Sequence, residues 1–402
     1  MIPTQPLMGC CSCGNGELVK LFELPNFPHI GVFIENIADS NKYPLIDNCV
    51  NYCEICGHIQ LGVTVDPAFL YTSEFQHQIL QSASATQANE FLFNFVQDVF
   101  VGREFPKTVV EIGCNDTFLL QRFADRGSVR HVGVDPILAG KEEEFLKSVD
   151  LEHINKLQVI GDFVENIDFE NELGSIPDLF ISNFVLEHIR DPLAVTQTII
   201  QQMDDDSVGI IGVPGSEFMI YNNRFDQLSH QHYQQFNSHS FTRMIVRAGG
   251  EVLASSVNFN VWGHIIIAFR RAKTLCSAEE YTSPYFLENV LASKELFDRH
   301  IESLQDRLSL LKSKPIVGFG AAQNFPVFEY FFDGQLPIDT ILDDHPLRQD
   351  RYFPHLPYSI CAPADSYNGF VGILTGPDYA RVLVPRMAQL RFDHIIVPFP
   401  SI

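Results

Sequence analysis

The chain has 402 residues, 46% hydrophobic and 19% charged, enough for two or three globular domains. Its 50 acidic residues against 27 basic ones leave a formal net charge of −23, which argues against nucleic acid and anionic membrane as partners, since both would repel it. No apolar run has the length of a membrane span and no signal peptide opens the sequence, so a cytoplasmic location is expected, and with it cysteines that serve metal rather than disulfides.

Residues 1 to 75 carry six of the nine cysteines. Cys10 and Cys13 form one C-x2-C pair followed by Gly14, and Cys53 and Cys56 form a second followed by Gly57. A glycine after each pair permits the tight knuckle in which backbone amides face thiolate sulfur. Two knuckles supply four soft ligands in a tetrahedron, the donor set of a structural Zn ion with no open position. About forty residues separate the pairs, and a β-rich insert is expected to close that gap. Cys11 and Cys49 are spare thiols that could compete as ligands.

Between about 71 and 100 the pattern turns helical, with Phe91, Phe95 and Val99 on one face. Val109-Val110-Glu111-Ile112 then reads as a buried parallel strand. Gly113 allows a sharp turn, Asn115 and Asp116 are N-cap types, and Phe118 to Leu120 start a helix. A lone glycine is not the three-glycine dinucleotide fingerprint, and Glu111 suits a cationic or amine-bearing ligand. Val132 to Val134 is a second strand ending in Asp135, 22 residues past Gly113, where a carboxylate can accept from ribose hydroxyls. Leu157 to Ile160 is a third, ending in Gly161-Asp162, suited to an adenine amine. A fourth runs from Asp178 to Ser182 and ends in Asn183. Polar residues closing four successive strands define a ligand crevice.

Ile210 to Val213 reads as a fifth strand and Gly263 to Phe269 as another, followed by a long helical stretch ending at Leu311. Pro315 to Asn324 opens a further α/β unit as strand, G-x-G-A-A and helix, a place where an anion can sit at a helix N-terminus. Asp343-Asp344 closes the next strand, and Ile395 to Val397 is the last.

Glu111-x-Gly113-x-Asn115-Asp116, Val134-Asp135-Pro136, Gly161-Asp162-Phe163 and Asn183 to His188, in that order, resemble the S-adenosylmethionine (SAM) site of a class I methyltransferase. With the cysteine knuckles in front and the G-x-G-A unit behind, the whole chain resembles the sugar C-methyltransferases, which act on nucleotide-activated 4-keto deoxysugars. The resemblance implies a zinc module (1–75), a SAM-binding Rossmann-like α/β domain (76–255) and a C-terminal Rossmann-like α/β domain (256–402). It implies that Glu111, Gly113, Asn115, Asp116, Asp135, Pro136, Asp162, Phe163 and Asn183 bind SAM. Gly318, Gly320, Ala321, Asn324 and Tyr71 would bind the nucleotide sugar. The family's Y-H-E-H segment matches Ser229-His230-Gln231-His232, so both histidines stand while the tyrosine and glutamate do not, and His188 matches a further site histidine.

Methylating carbon requires a base near neutral pKa and a group that holds the enolate oxygen. His232 is assigned as the base, with His188 and His230 as orienters or oxygen donors and Gln231 as a hydrogen-bond donor. Two alternatives stay open: methyl transfer to oxygen or nitrogen of a related sugar or small molecule, and SAM binding without turnover. The sugar, the nucleotide, the carbon modified and the oligomeric state are not legible in the sequence.

Overall fold

The computed structural model describes residues 4–70, 83–149, 156–274 and 287–399. The N-terminal part is built from five short strands, β1 (Thr4–Pro6), β2 (Val19–Phe27), β3 (Ile46–Tyr52), β4 (Ile59–Leu61) and β5 (Val63–Val65). β2, β3 and β4 run antiparallel, and β1 pairs with β5. The insert between the cysteine pairs is therefore the β-rich segment that the spacing required.

The middle part holds β6 (Thr108–Ile112), β7 (Arg130–Val134), β8 (Leu157–Ile160), β9 (Leu179–Asn183), β10 (Val208–Val213), β11 (Gln234–Gln235), β12 (Gly250–Asn258) and β13 (His264–Arg271). Seven of these make one sheet in the order β12-β13-β10-β9-β6-β7-β8. It is parallel except for β13, which is antiparallel to both its neighbours. Strand alternation splits its apolar residues between two cores. Val110 and Ile211 face the core that holds Phe241 and Ile245 of helix Ser238–Arg247. Val109 and Ile210 face the opposite core, with Leu92 of helix Ala83–Val99 and Phe123 of helix Phe118–Arg126.

β12 is a strand that the sequence reading lacked. It is an edge strand, half exposed, and Glu251, Ser255 and Ser256 interrupt the apolar pattern that marks the central strands. Helix Phe118–Arg126 has Thr117 at its N-cap position, with φ +62° and no side-chain cap bond, and the first helical N–H, of Phe118, is met by the Asp116 side chain, while Asn115 does not cap. Of the expected helix from about 71, Ala83–Val99 is present, and Tyr71 lies outside the described residues.

The C-terminal part follows the 25-residue helix Leu287–Leu311. Its strands β14 (Ile316–Phe319), β15 (Ile341–Leu342), β16 (Ile360–Cys361), β17 (Val371–Leu374) and β18 (His394–Ile396) form a parallel sheet in the order β16-β15-β14-β17-β18. One hydrophobic core crosses all three parts: Phe27 and Phe33 from the first, Phe225 and Leu228 from the second, and Phe297, Phe325 and Ile373 from the third.

Candidate functional site

The crevice lies at the carboxyl ends of β6, β7, β8 and β9. Gly113 turns the chain out of β6 with φ +75°, and an added Cβ there would run into Val185. Asn115 takes φ +43° and donates its N–H to Asp135 Oδ2 at 3.3 Å. Asp135 Oδ1 accepts from Ile137 N–H at 3.0 Å and so caps the short turn that starts at Pro136. Asp116 Oδ1 accepts from Phe118 N–H at 3.3 Å.

Glu111 is 3% exposed, and its Oε2 has no hydrogen-bond partner among the described residues. Burial pushes its carboxyl well above the usual range, and the Asp116 and Asp135 carboxylates push it further. Burial raises Asp135 too. Three carboxyl groups thus crowd one pocket wall with one oxygen unpaired. A cation placed there would relieve both the repulsion and the orphaned acceptor. SAM carries a sulfonium and an ammonium, so the residues present fit it.

Two expected contacts look different in the structure. Asn183 donates from Nδ2 to Asn89 Oδ1 at 3.0 Å and its Oδ1 accepts from His264 Nε2 at 2.8 Å, so its amide is already committed inside the chain. Asp162 Oδ1 holds its own turn through Phe163 N–H and Asn166 Nδ2, both at 2.7 Å, which leaves the Phe163 ring exposed at the crevice rim. Neither Asn89 nor His264 was marked by the sequence, because their roles arise from packing between distant elements.

At the mouth of the crevice the turn Leu186–His188 follows β9. The His188 and His232 rings meet edge-on with centroids 4.7 Å apart. His188 Nδ1 lies 2.8 Å from the Gln231 carbonyl oxygen, a pure acceptor, so this nitrogen carries the proton and donates. Glu187 completes the group, with Oε1 3.9 Å from His188 Nε2. It is 1% exposed, and burial pushes its carboxyl up to about 8. Sequence reasoning passed over Glu187 because nothing in the spacing foretold its burial.

The side chains of His230 and Gln231 bond to the N-terminal part instead of joining the His188–His232 pair. His230 donates from Nε2 to the Phe27 carbonyl at 3.0 Å and accepts at Nδ1 from Asn48 Nδ2 at 3.3 Å. Burial lowers its pKa to about 3, so it is a neutral residue that ties this segment to the N-terminal sheet. The Gln231 side chain donates to the Ile30 carbonyl at 3.3 Å and points the same way. His232, His188 and Glu187 are the residues that the structure brings together at the crevice mouth.

Cys10, Cys13, Cys53 and Cys56 place their sulfurs within 4.8 Å of one another. The Cys10–Cys56 and Cys13–Cys53 pairs are 3.5 Å apart. Four thiolates on a Zn ion at about 2.3 Å would stand roughly 3.8 Å apart, so the cluster fits a tetrahedral metal closely. Gly14 and Gly57 both take φ +70°, and their N–H groups close the knuckles onto the Cys10 and Cys53 carbonyls. Cys11 and Cys49 stand outside the cluster, the former bonded to Gly9 and the latter to Asn51.

In the C-terminal unit Gly318 is the penultimate residue of β14 and Gly320 turns with φ +95°. Ala321 N–H donates to Asp343 Oδ2 at 2.6 Å, and Thr375 Oγ1 donates to the Gly320 carbonyl at 2.6 Å. The expected anion position at Ala321 is thus taken by the chain's own carboxylate. Asn324 precedes the seven-residue helix Phe325–Phe331 and makes no side-chain cap bond.

Residues 84–255 match a family described as a methyltransferase domain. A C-methyltransferase named NovU from Streptomyces niveus is 23% identical over 251 residues, 62% of this chain and 57% of that protein's length. Among solved structures, a magnesium protoporphyrin IX methyltransferase from Synechocystis is 14% identical with a TM-score of 0.38, covering 48% of this chain and 89% of the other. A 1,6-didemethyltoxoflavin-N1-methyltransferase from Burkholderia thailandensis is 17% identical with a TM-score of 0.35, covering 48% and 80%. The match lies over the central sheet, whose strand order is that of the class I Rossmann-like α/β fold.

Proposed function

We propose that the chain is a SAM-dependent methyltransferase that adds a methyl group to the carbon beside the ketone of a nucleotide-activated deoxysugar. The observation that carries the reading is the methyltransferase-domain match over 84–255, laid over a crevice in which Glu111, Asp116 and Asp135 converge. A relative named as a C-methyltransferase, matched over 57% of its length, favours carbon as the acceptor.

Bound SAM supplies an electrophilic methyl group on a positively charged sulfur. The crevice carboxylates hold that charge. At the crevice mouth His232 takes the proton next to the ketone, and the C–H electron pair becomes the enolate. SAM held by Glu111, Asp116 and Asp135 would supply the methyl group to that carbon. His188, fixed by its Nδ1–H bond to Gln231, faces the same space as His232 and stabilises charge there. In this reading the nucleotide lies against the loop from Gly318 to Asn324, and Tyr71 adds to the sugar site. The zinc module is structural.

Transfer to oxygen or nitrogen is the competing reading, and one observation favours it. The Gln231 amide is turned to Ile30, so no carboxylate stands next to His232 on its own segment. Incubating protein, SAM and a 4-keto sugar nucleotide in deuterated water separates the readings. Exchange of the proton beside the ketone, with methyl incorporated there, is the expected result. Methyl transfer without exchange selects oxygen or nitrogen, and donor binding with neither leaves a binding protein. His232→Ala is expected to keep donor affinity and to lose transfer by about 100-fold or more; unchanged turnover removes His232 from the chemistry.

A further inference from the structure

Glu187 is the buried group that this reading leaves without a task. It sits in the turn after β9, 1% exposed, and its Oε2 has no hydrogen-bond partner among the described residues. Its Oε1 is 3.9 Å from His188 Nε2. Because His188 Nδ1 carries the proton that bonds Gln231, Nε2 of the neutral ring is the nitrogen with the lone pair, and it stands 3.9 Å from that carboxyl. His232 closes the set, with one ionisable atom of each residue within 4.8 Å of the others. A lone pair facing a desolvated carboxylate is repulsive unless a proton is shared between them.

We infer that Glu187 is a positioning residue that shares one proton with the His188–His232 pair, and that its ionised form is the counter-charge for the imidazolium created when His232 takes a proton from substrate. The inference rests on the proposed role of His232. No oxidation is involved: one proton moves from carbon to imidazole, and the same proton later leaves to solvent.

The surroundings isolate this cluster. His230 is turned to Phe27 and Asn48, Arg190 to Gln5 and the Pro6 carbonyl, and Asp191 caps the next helix at Ala194 N–H. Among the described residues His188 and His232 are therefore the titratable groups that face Glu187. Burial pushes its carboxyl up to about 8, and the inference requires that the three groups, with one ionisable atom of each within 4.8 Å of the others, titrate as one unit.

The test is an imidazole NMR titration of the ligand-free full chain, wild type against Glu187→Gln. Lower midpoints for His188 and His232 in the variant support the inference, and unchanged midpoints overturn it. Should the variant fail to fold, carboxyl-labelled wild type reads the same coupling, since the Glu187 resonance must move together with the His188 ring; independent transitions overturn it. These readouts need no methyl transfer, so they stand even if the proposed reaction fails. With activity in hand, kcat is expected to fall at least about tenfold with KM little changed, and the pH profile to shift. A lower Tm with an unmoved pH profile contradicts the inference. So does metal analysis that finds an ion beyond the cysteine site and loses it in the variant.

Discussion

Glu111, Asp135 and Asp162 show what a strand-end position makes visible. The apolar run before each residue marks a buried parallel strand, and the residue that breaks the run must emerge at the carboxyl edge. Burial depth is not written that way, which is why Glu187 and Glu329 went unremarked. Glu329 is 1% exposed, accepts from Tyr358 Oη at 2.7 Å and has its carboxyl pushed up to about 7 by burial. A carboxyl raised in the folded state binds its proton more tightly there than in the unfolded chain. Its contribution to stability is full below the unfolded value near 4.5 and is lost as pH rises through about 7. Up to about 3 kcal/mol is at stake for a shift of that size. Thermal unfolding of wild type and Glu329→Gln across pH 5 to 8 should show the wild type losing Tm relative to the variant; parallel curves would contradict this.

At the scale of elements, residues 229 to 240 belong to two bodies at once. β11 pairs with β4, extending the N-terminal sheet with a strand from the middle part of the chain. Tyr233 Oη donates to the Val65 carbonyl at 2.6 Å, Asn237 Nδ2 to the Gly57 carbonyl at 2.6 Å, and Ser12 Oγ to the Ser240 carbonyl at 2.7 Å. These bonds hold the backbone on which His232 stands. His230 and His232 could not be told apart from sequence, because the face that His230 presents is set by bonds to Phe27 and Asn48, 203 and 182 residues earlier in the chain. The central strands were legible from their apolar runs, whereas the edge strand β12 was hidden by its polar residues. His230→Ala would strand the Phe27 carbonyl and open a cavity beside Asn48. It is expected to cost about 2–3 kcal/mol, read as a lower Tm, while donor affinity is retained. A variant as stable as wild type would show that this tie carries no weight.

The whole molecule is one packed body with a shared core rather than three beads. Arg224 fastens it further: its guanidinium pairs with Asp226 at 2.7 Å and with Asp378 of the C-terminal unit at 2.9 Å, and lies over the Phe399 ring. The motifs near Cys10, Glu111 and Gly318 are local in the sequence, whereas the joint core depends on contacts between residues hundreds of positions apart. A metal held by the four thiols would have its loss felt beyond them. Since Gly57 and Ser12 of the knuckles bond directly to Asn237 and Ser240, chelation should speed hydrogen exchange both in residues 52 to 61 and in residues 229 to 240. Exchange confined to the first stretch would mean that the module does not support the histidine segment.

The central claim is that the carboxylate-lined end of the parallel sheet holds the cationic methyl donor. Isothermal titration of the full chain with SAM, and then with its demethylated product in competition, tests it most directly. The account predicts one site shared by both ligands, with affinity lowered at least about tenfold in Glu111→Gln, the loss of one charge-assisted contact. No binding of either ligand, or binding that Glu111→Gln leaves unchanged, would contradict it.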